Sequence, residues 1–238
     1  MNKIKISAVS YTNTKPFVYG LTHSEIINKI DLSLDIPSTC ANKLIDNQVD
    51  IGLVPVAALL RIPNYEIISD YCIGADGAVN SVYIFSEKPI EEIETIRLDE
   101  QSRTSNNLAL VLLKNYWKVG PRVVIGNADA FVQIGDRTFG KSDQYPYAYD
   151  LSQEWKKFTG LPFAFAVWAA NKKIEPAFIS EFNLALKFGL ANREQIIPGL
   201  PEYKNFDLAD YLMHKLDFNL DEKKKEAISK FLDLVKDL

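Results

Sequence analysis

The chain has 238 residues, enough for one large α/β domain or two lobes of about 100 residues each, so a single small domain is excluded. Apolar residues make up 47% and charged residues 24%, which excludes a disordered chain. A net charge of −4 leaves no basic footprint for nucleic acid or a membrane surface, so any anionic ligand has to be held by local donors. The two cysteines, Cys40 and Cys72, stand outside any C-x-x-C spacing, and the two histidines, His23 and His214, lie near opposite ends of the chain, so no metal-ligand pattern exists. MNK runs directly into strand-like IKISAV without the apolar core of a leader, and no apolar run is long enough to span a bilayer. The expectation is a reduced, cytoplasmic protein.

Ile4, Ile6 and Ala8 alternate with Lys5 and Ser7, which predicts a strand running into Ser10–Pro16. Pro16 suits the first turn of a helix, with Asn13 or Thr14 before it as cap. Leu32, Leu34 and Ile36 alternate in the same way, and that strand ends at Pro37-Ser38-Thr39 before a short helix through Ile45. Asp50 to Val54 reads as a third strand, with Pro55 opening a helix through Leu60. Strands and helices alternating over short loops predict parallel βαβ units. From Tyr65 to Ser86 the chain is rich in β-branched and aromatic residues, broken by Gly74 and Gly77, with no helical period: an extended connection between two lobes. Ser81, within it, reads either as a strand-face serine bonded to backbone or as a functional hydroxyl in apolar surroundings.

Ile96 to Trp117 (IRLDEQSRTSNNLALVLLKNYW) starts as a strand, crosses a hydroxyl-rich turn and enters an apolar helix. The first turn of a helix has unpaired amides and a partial positive charge, so Ser102, Thr104 and Ser105 with those amides form an anion seat. Arg103 adds a two-pronged partner. The plainer alternative is that Ser102 or Thr104 is only an N-cap. Two short strands follow, Val123–Ile125 and Ala130–Ile134, the second ending in Gly135-Asp136. Gly135 permits positive φ or close approach, and Asp136 serves either as a cap or to orient a neighbouring donor. Asp150 to Phe158 puts Leu151, Trp155 and Phe158 on one helical face, closed by Gly160 and Pro162. Phe163–Ala170 is apolar throughout, as in a strand buried on both faces, and makes the return crossing. The rest is helical: one helix opening at Glu175-Pro176, one over 207–216 and one over 221–238. The expected lobes are 1–87 with 168–238, and 88–167. Ligands of open α/β sheets sit outside the carboxyl ends of the strands, so these polar turns converge on a crevice between the lobes.

The blocks VSYTNTKP (9–16), PSTCA (37–41), VDIGLVPVAAL (49–59), DYCIGADGAVNSVYIFS (70–86), LDEQSRTS (98–105), IGDR (134–137) and TGLPFAFAVW (159–168) resemble, in order, those of the chorismate dehydratase family of menaquinone biosynthesis. The resemblance implies an α/β, two-lobed, periplasmic-binding-protein-like (type II) fold with the ligand in the cleft between lobes. It also implies dehydration of chorismate, a dicarboxylate, to 3-[(1-carboxyvinyl)oxy]benzoate at the head of the futalosine route, with no metal and no organic cofactor. By the same resemblance Asn13 and Ser81 carry the chemistry, while Ser38, Thr39, Ser102, Arg103, Thr104 and Ser105 hold the substrate; Gly135 and Asp136 complete the expected site. Asp136 is the one nearby carboxylate that the sequence offers as a base. The alternatives are the 1,4-dihydroxy-6-naphthoate synthase of the same route, which is implied to use a second-lobe histidine that this chain lacks, and a non-catalytic small-anion-binding protein.

Overall fold

A computed structural model describes residues 3–238. β1 (Ile4–Val9) pairs in parallel with β2 (Ile30–Asp35) and β3 (Ile51–Pro55), and α1 (Lys15–Thr22) and α2 (Pro37–Ile45) form the crossovers between them. β4 (Glu66–Ala75) ends the first pass through this sheet, and residues 76–81 carry the chain to a second one. There β5 (Val82–Ser86), β6 (Thr95–Arg97), β7 (Arg122–Val123), β8 (Ala130–Ile134) and β9 (Tyr147–Asp150) form the order β7-β6-β8-β5-β9. α3 (Arg103–Leu112) and α4 (Leu151–Thr159) belong to this lobe. β10 (Phe163–Ala170) then returns and inserts antiparallel between β3 and β4, giving β2-β1-β3-β10-β4. α5 (Pro176–Ala191) and a C-terminal helix, Glu222–Lys236, complete the chain.

Several expectations shift in detail. The extended run over 65–86 is two strands in different sheets, so the chain changes sheet at 76–81 and 160–162 rather than at 87/88 and 167/168. The reason is pairing: β5 and β10 are each flanked on both sides, and every residue of both is buried. The helix expected after Pro55 is a 3-10 turn, Val56–Arg61, and the strand expected over 123–125 stops at Val123, leaving Ile125 in solvent. The helix expected over 207–216 is a short turn, Leu208–Asp210, followed by a wide π turn, Tyr211–Lys215.

The first lobe is anchored by an approach of α1 to α5 that admits no side chain. A Cβ on Gly20 would stand 2.0 Å from the Ala185 carbonyl oxygen, and one on Gly189 would stand 1.8 Å from that of Pro16. Beneath them Phe17 meets Trp168 edge-on at 5.9 Å, and Trp168 meets Phe182 at 5.0 Å, all three fully buried. This packing fixes the start of α1 and with it the Tyr11–Thr14 turn. Among the described residues no helix is long and apolar enough to cross a membrane.

Candidate active site

A cavity of about 540 Å³, partly open to solvent, lies between the two sheets. The first lobe contributes Tyr11 and Asn13 from the turn after β1, Pro37 from the start of α2 and Phe165 from β10. The crossing segment contributes Val79 and Ser81; the second lobe contributes Ser102, Thr104 and Ser105 from the start of α3, and Gly135 after β8. Six of the ten expected site residues therefore share one cavity: Asn13, Ser81, Ser102, Thr104, Ser105 and Gly135. Among the described lining residues Tyr11 alone carries a titratable side chain. No described group of three or more His, Cys, Asp or Glu side chains could hold a metal ion.

The first turn of α3 resolves the choice between Ser102 and Thr104 as cap. Ser102 Oγ accepts the Ser105 amide at 3.1 Å, the standard capping bond. Thr104 Oγ1 instead accepts the Ala57 amide of the first lobe at 3.1 Å, so it ties the lobes together while facing the cavity. Asn13 Oδ1 accepts the Thr14 hydroxyl at 3.1 Å, which turns the amide –NH2 away from Thr14. Ser81 Oγ accepts the Tyr211 phenol at 3.0 Å, and the Ser81 carbonyl accepts the Gly135 amide at 2.8 Å. Gly135 has φ +65, and a Cβ there would stand 2.9 Å from the Tyr11 ring, so both its conformation and its neighbour require glycine. The Tyr11 phenol donates to Gln101 Oε1. Burial pushes the Tyr11 phenol above its ordinary value, against the opposing pull of the Arg137 guanidinium. Arg137 is itself held two-pronged by Asp99 at 2.7 and 2.9 Å.

Four expected residues lie outside the lining. Asp136 spans the lobes: its carboxylate accepts the Thr12 amide at 3.1 and 3.2 Å and the Thr12 hydroxyl at 2.8 Å. Both oxygens thus take part in a clasp to Thr12, and the carboxylate lies outside the cavity lining. Arg103 also reaches across, donating to Asn42 Oδ1 at 2.8 Å, with its Nη1 buried and unpartnered. Ser38 and Thr39 are half-buried on the first turn of α2, beyond the Pro37 that does line the cavity. Both histidines are exposed, and neither lines the cavity.

Sequence reasoning missed Tyr11, Thr12, Gln101 and Tyr211. Tyr11 and Thr12 stand inside a block that was read for its asparagine, and Gln101 inside one read for its hydroxyls. Tyr211 carries no local signal beyond a tyrosine in a helical stretch; what marks it is complete burial with its hydroxyl bonded to Ser81.

A family model described as menaquinone biosynthesis matches residues 4–237. The chain belongs to this family. A member of the family is similar in sequence to the chorismate dehydratase of Thermus thermophilus, at 25% identity over 189 residues, 68% of this chain and 69% of that protein. In structure it is similar to protein AF1704 from Archaeoglobus fulgidus, with a TM-score of 0.74, 15% identity and coverage of 99% and 97% of the two chains. It is also similar to the periplasmic aliphatic sulphonate binding protein SsuA from Escherichia coli, with a TM-score of 0.63, 15% identity and coverage of 100% and 92%. The fold of this family member is thus the periplasmic-binding-protein-like one that its sequence implies.

Proposed function

We propose that this protein is a chorismate dehydratase, converting chorismate to 3-[(1-carboxyvinyl)oxy]benzoate and water as the first step of the futalosine route to menaquinone. The observation that carries the reading is the lining: neutral hydroxyls, one amide and a helix start gathered around a cavity whose described lining residues carry no carboxylate, imidazole or amine. Such a site does not drive a difficult proton abstraction by itself, but chorismate needs little help. Its cyclohexadiene ring becomes aromatic on losing one proton and one hydroxyl, so the driving force resides in the substrate.

The residues then have the following roles. The first turn of α3, with the Ser102 and Ser105 hydroxyls, seats the ring carboxylate against the positive end of the helix. Ser38 and Thr39, just past Pro37, hold the rim of the same site. Ser81 and Asn13 donate to the ring hydroxyl and stabilise the charge that grows on its oxygen as the C–O bond breaks. The neighbouring C–H electron pair becomes the last π bond of the aromatic ring. Its proton passes to the enolpyruvyl carboxylate of the substrate, since Asp136 is occupied by Thr12, and then to the departing hydroxyl to make water. No protein group ends the cycle changed, and closure of the lobes keeps solvent from competing for the donors.

Ser81→Ala and Asn13→Ala test the assignment. Each is expected to lower kcat for chorismate by about 100-fold or more, the usual loss of a donor to developing negative charge, while the Kd for the aromatic product moves only a few-fold. Full turnover by Ser81→Ala removes Ser81 from the scheme. A wild-type protein that binds chorismate saturably and returns it unchanged is a binding protein instead.

A further inference from the structure

A serine hydroxyl rotates freely unless its neighbours fix it, and a donor that points away from the leaving group does no chemistry. Ser81 is 2% exposed, and its oxygen already receives the phenol proton of Tyr211 at 3.0 Å. Tyr211 is 1% exposed, and burial holds its phenol far above the ordinary value, so across the neutral range it remains a protonated donor. The two residues assigned to the chemistry come from the β1–α1 turn and from the interlobe crossing. Tyr211 joins them from a third place, the π turn Tyr211–Lys215. Its ring cannot swing away: Phe139 of the second lobe meets it edge-on at 5.1 Å and Phe206 lies at 5.4 Å. Behind the ring is a separate polar cavity, lined by Asn80, Asp207, Asp210 and Lys215 as well as Tyr211, so the phenol stands between that space and the substrate cavity.

We propose that Tyr211 is a positioning residue for the dehydration: by donating to Ser81 Oγ it leaves the Ser81 proton one useful direction, into the cavity and toward the departing hydroxyl of the substrate. The inference rests on the dehydratase reading above. A phenol that donates to an oxygen also makes that oxygen's own O–H a better donor, so Tyr211 strengthens Ser81 as well as aiming it. The side chain touches no substrate atom in this scheme, and it acts through Ser81.

The test is steady-state turnover of chorismate by four proteins: wild type, Tyr211→Phe, Ser81→Ala and the double variant, with Tm measured for each. Tyr211→Phe removes one oxygen and keeps the ring in its aromatic cage. The expected result is a kcat lower by about tenfold or more with KM within about twofold, and no further loss when Tyr211→Phe is added to Ser81→Ala. A kcat within about twofold of wild type, or the same fold-loss in both backgrounds, overturns the proposal; the second result is that of a merely structural tyrosine. If Tyr211→Phe does not fold, 3-fluorotyrosine placed at 211 keeps the shape and strengthens the phenol as a donor. Turnover that rises while Tm stays put then supports the proposal, and turnover that stays unchanged rejects it. Wild-type protein that leaves chorismate intact defeats the dehydratase reading and this inference together, whereas an active wild type with an equally active Tyr211→Phe defeats this inference alone.

Discussion

Asp136→Asn isolates the clasp between the lobes. In the wild type both carboxylate oxygens accept from Thr12, the amide at 3.1 and 3.2 Å and the hydroxyl at 2.8 Å, from one lobe to the other. The amide variant keeps the volume and one acceptor but presents an –NH2 where the second oxygen stood, and it loses the charge. A hydrogen bond to a charged group contributes about 1.5–3 kcal/mol, so the closed form weakens by about that amount relative to an open one. At 1.4 kcal/mol per factor of ten this raises the apparent Kd for chorismate by at most about 10- to 150-fold, the full factor applying where the open form dominates. Because Asp136 lies outside the cavity lining, kcat at saturating substrate is expected to stay within about twofold. Isothermal titration measures the Kd, and small-angle X-ray scattering of the unliganded protein reads the accompanying increase in radius of gyration. An unchanged Kd with an unchanged radius refutes the clasp; a collapsed kcat with an unchanged Kd restores Asp136 as a participant in the chemistry.

Three further outcomes follow from the same geometry. Gly20→Ala is expected to destabilise the fold by roughly 3 kcal/mol or more, read by urea unfolding, because the added Cβ meets backbone atoms of α5 that have no side-chain freedom to yield. Ser105→Ala, which removes a cavity hydroxyl while leaving the capping bond to the Ser105 amide intact, is expected to raise KM for chorismate by about 3- to 10-fold with little change in Tm. Asp35 is pulled up by partial burial, but hydrogen bonds from Lys43, Ser7 and Ser33 outweigh this and hold its carboxyl below the usual value. A depressed carboxylate contributes stability above its unfolded value of about 3.9, and that contribution is lost as pH falls through the lower folded value. Lys43→Met is therefore expected to shift the Asp35 titration, followed by carboxyl-carbon NMR, to higher pH and to bring the acid loss of stability up with it.

What the sequence made legible was whatever is written locally. Alternation in Ile4–Val9 and Ile30–Asp35 marked two parallel neighbours, and the unbroken apolar run Phe163–Ala170 marked a strand flanked on both sides. The hydroxyls around Ser102 and the glycine at 135 marked turns that do meet in one cavity. Contacts between distant stretches were not legible. Thr12 and Asp136 are 124 residues apart and Ser81 and Tyr211 are 130 apart, and no period or cap relates such pairs. Asp136 illustrates the consequence. A carboxylate beside a glycine at a strand end reads equally as a base or as a partner, and only the position of Thr12 decides between them. Arg103 is similar, since an arginine in a helix first turn points toward an anion or toward a neighbouring element, and here Asn42 receives it. The changes of sheet at 76–81 and 160–162 were not legible either, because a continuous extended run gives no sign of where it leaves one sheet and joins another.

The most direct measurement is proton NMR of chorismate incubated with the purified wild-type protein. Loss of the diene signals in step with the growth of one meta-substituted benzoate that keeps its enolpyruvyl methylene is the predicted result. Chorismate that persists unaltered beside the protein, or that yields a product without that side chain, contradicts the claim that a pocket of uncharged donors lets this substrate aromatise.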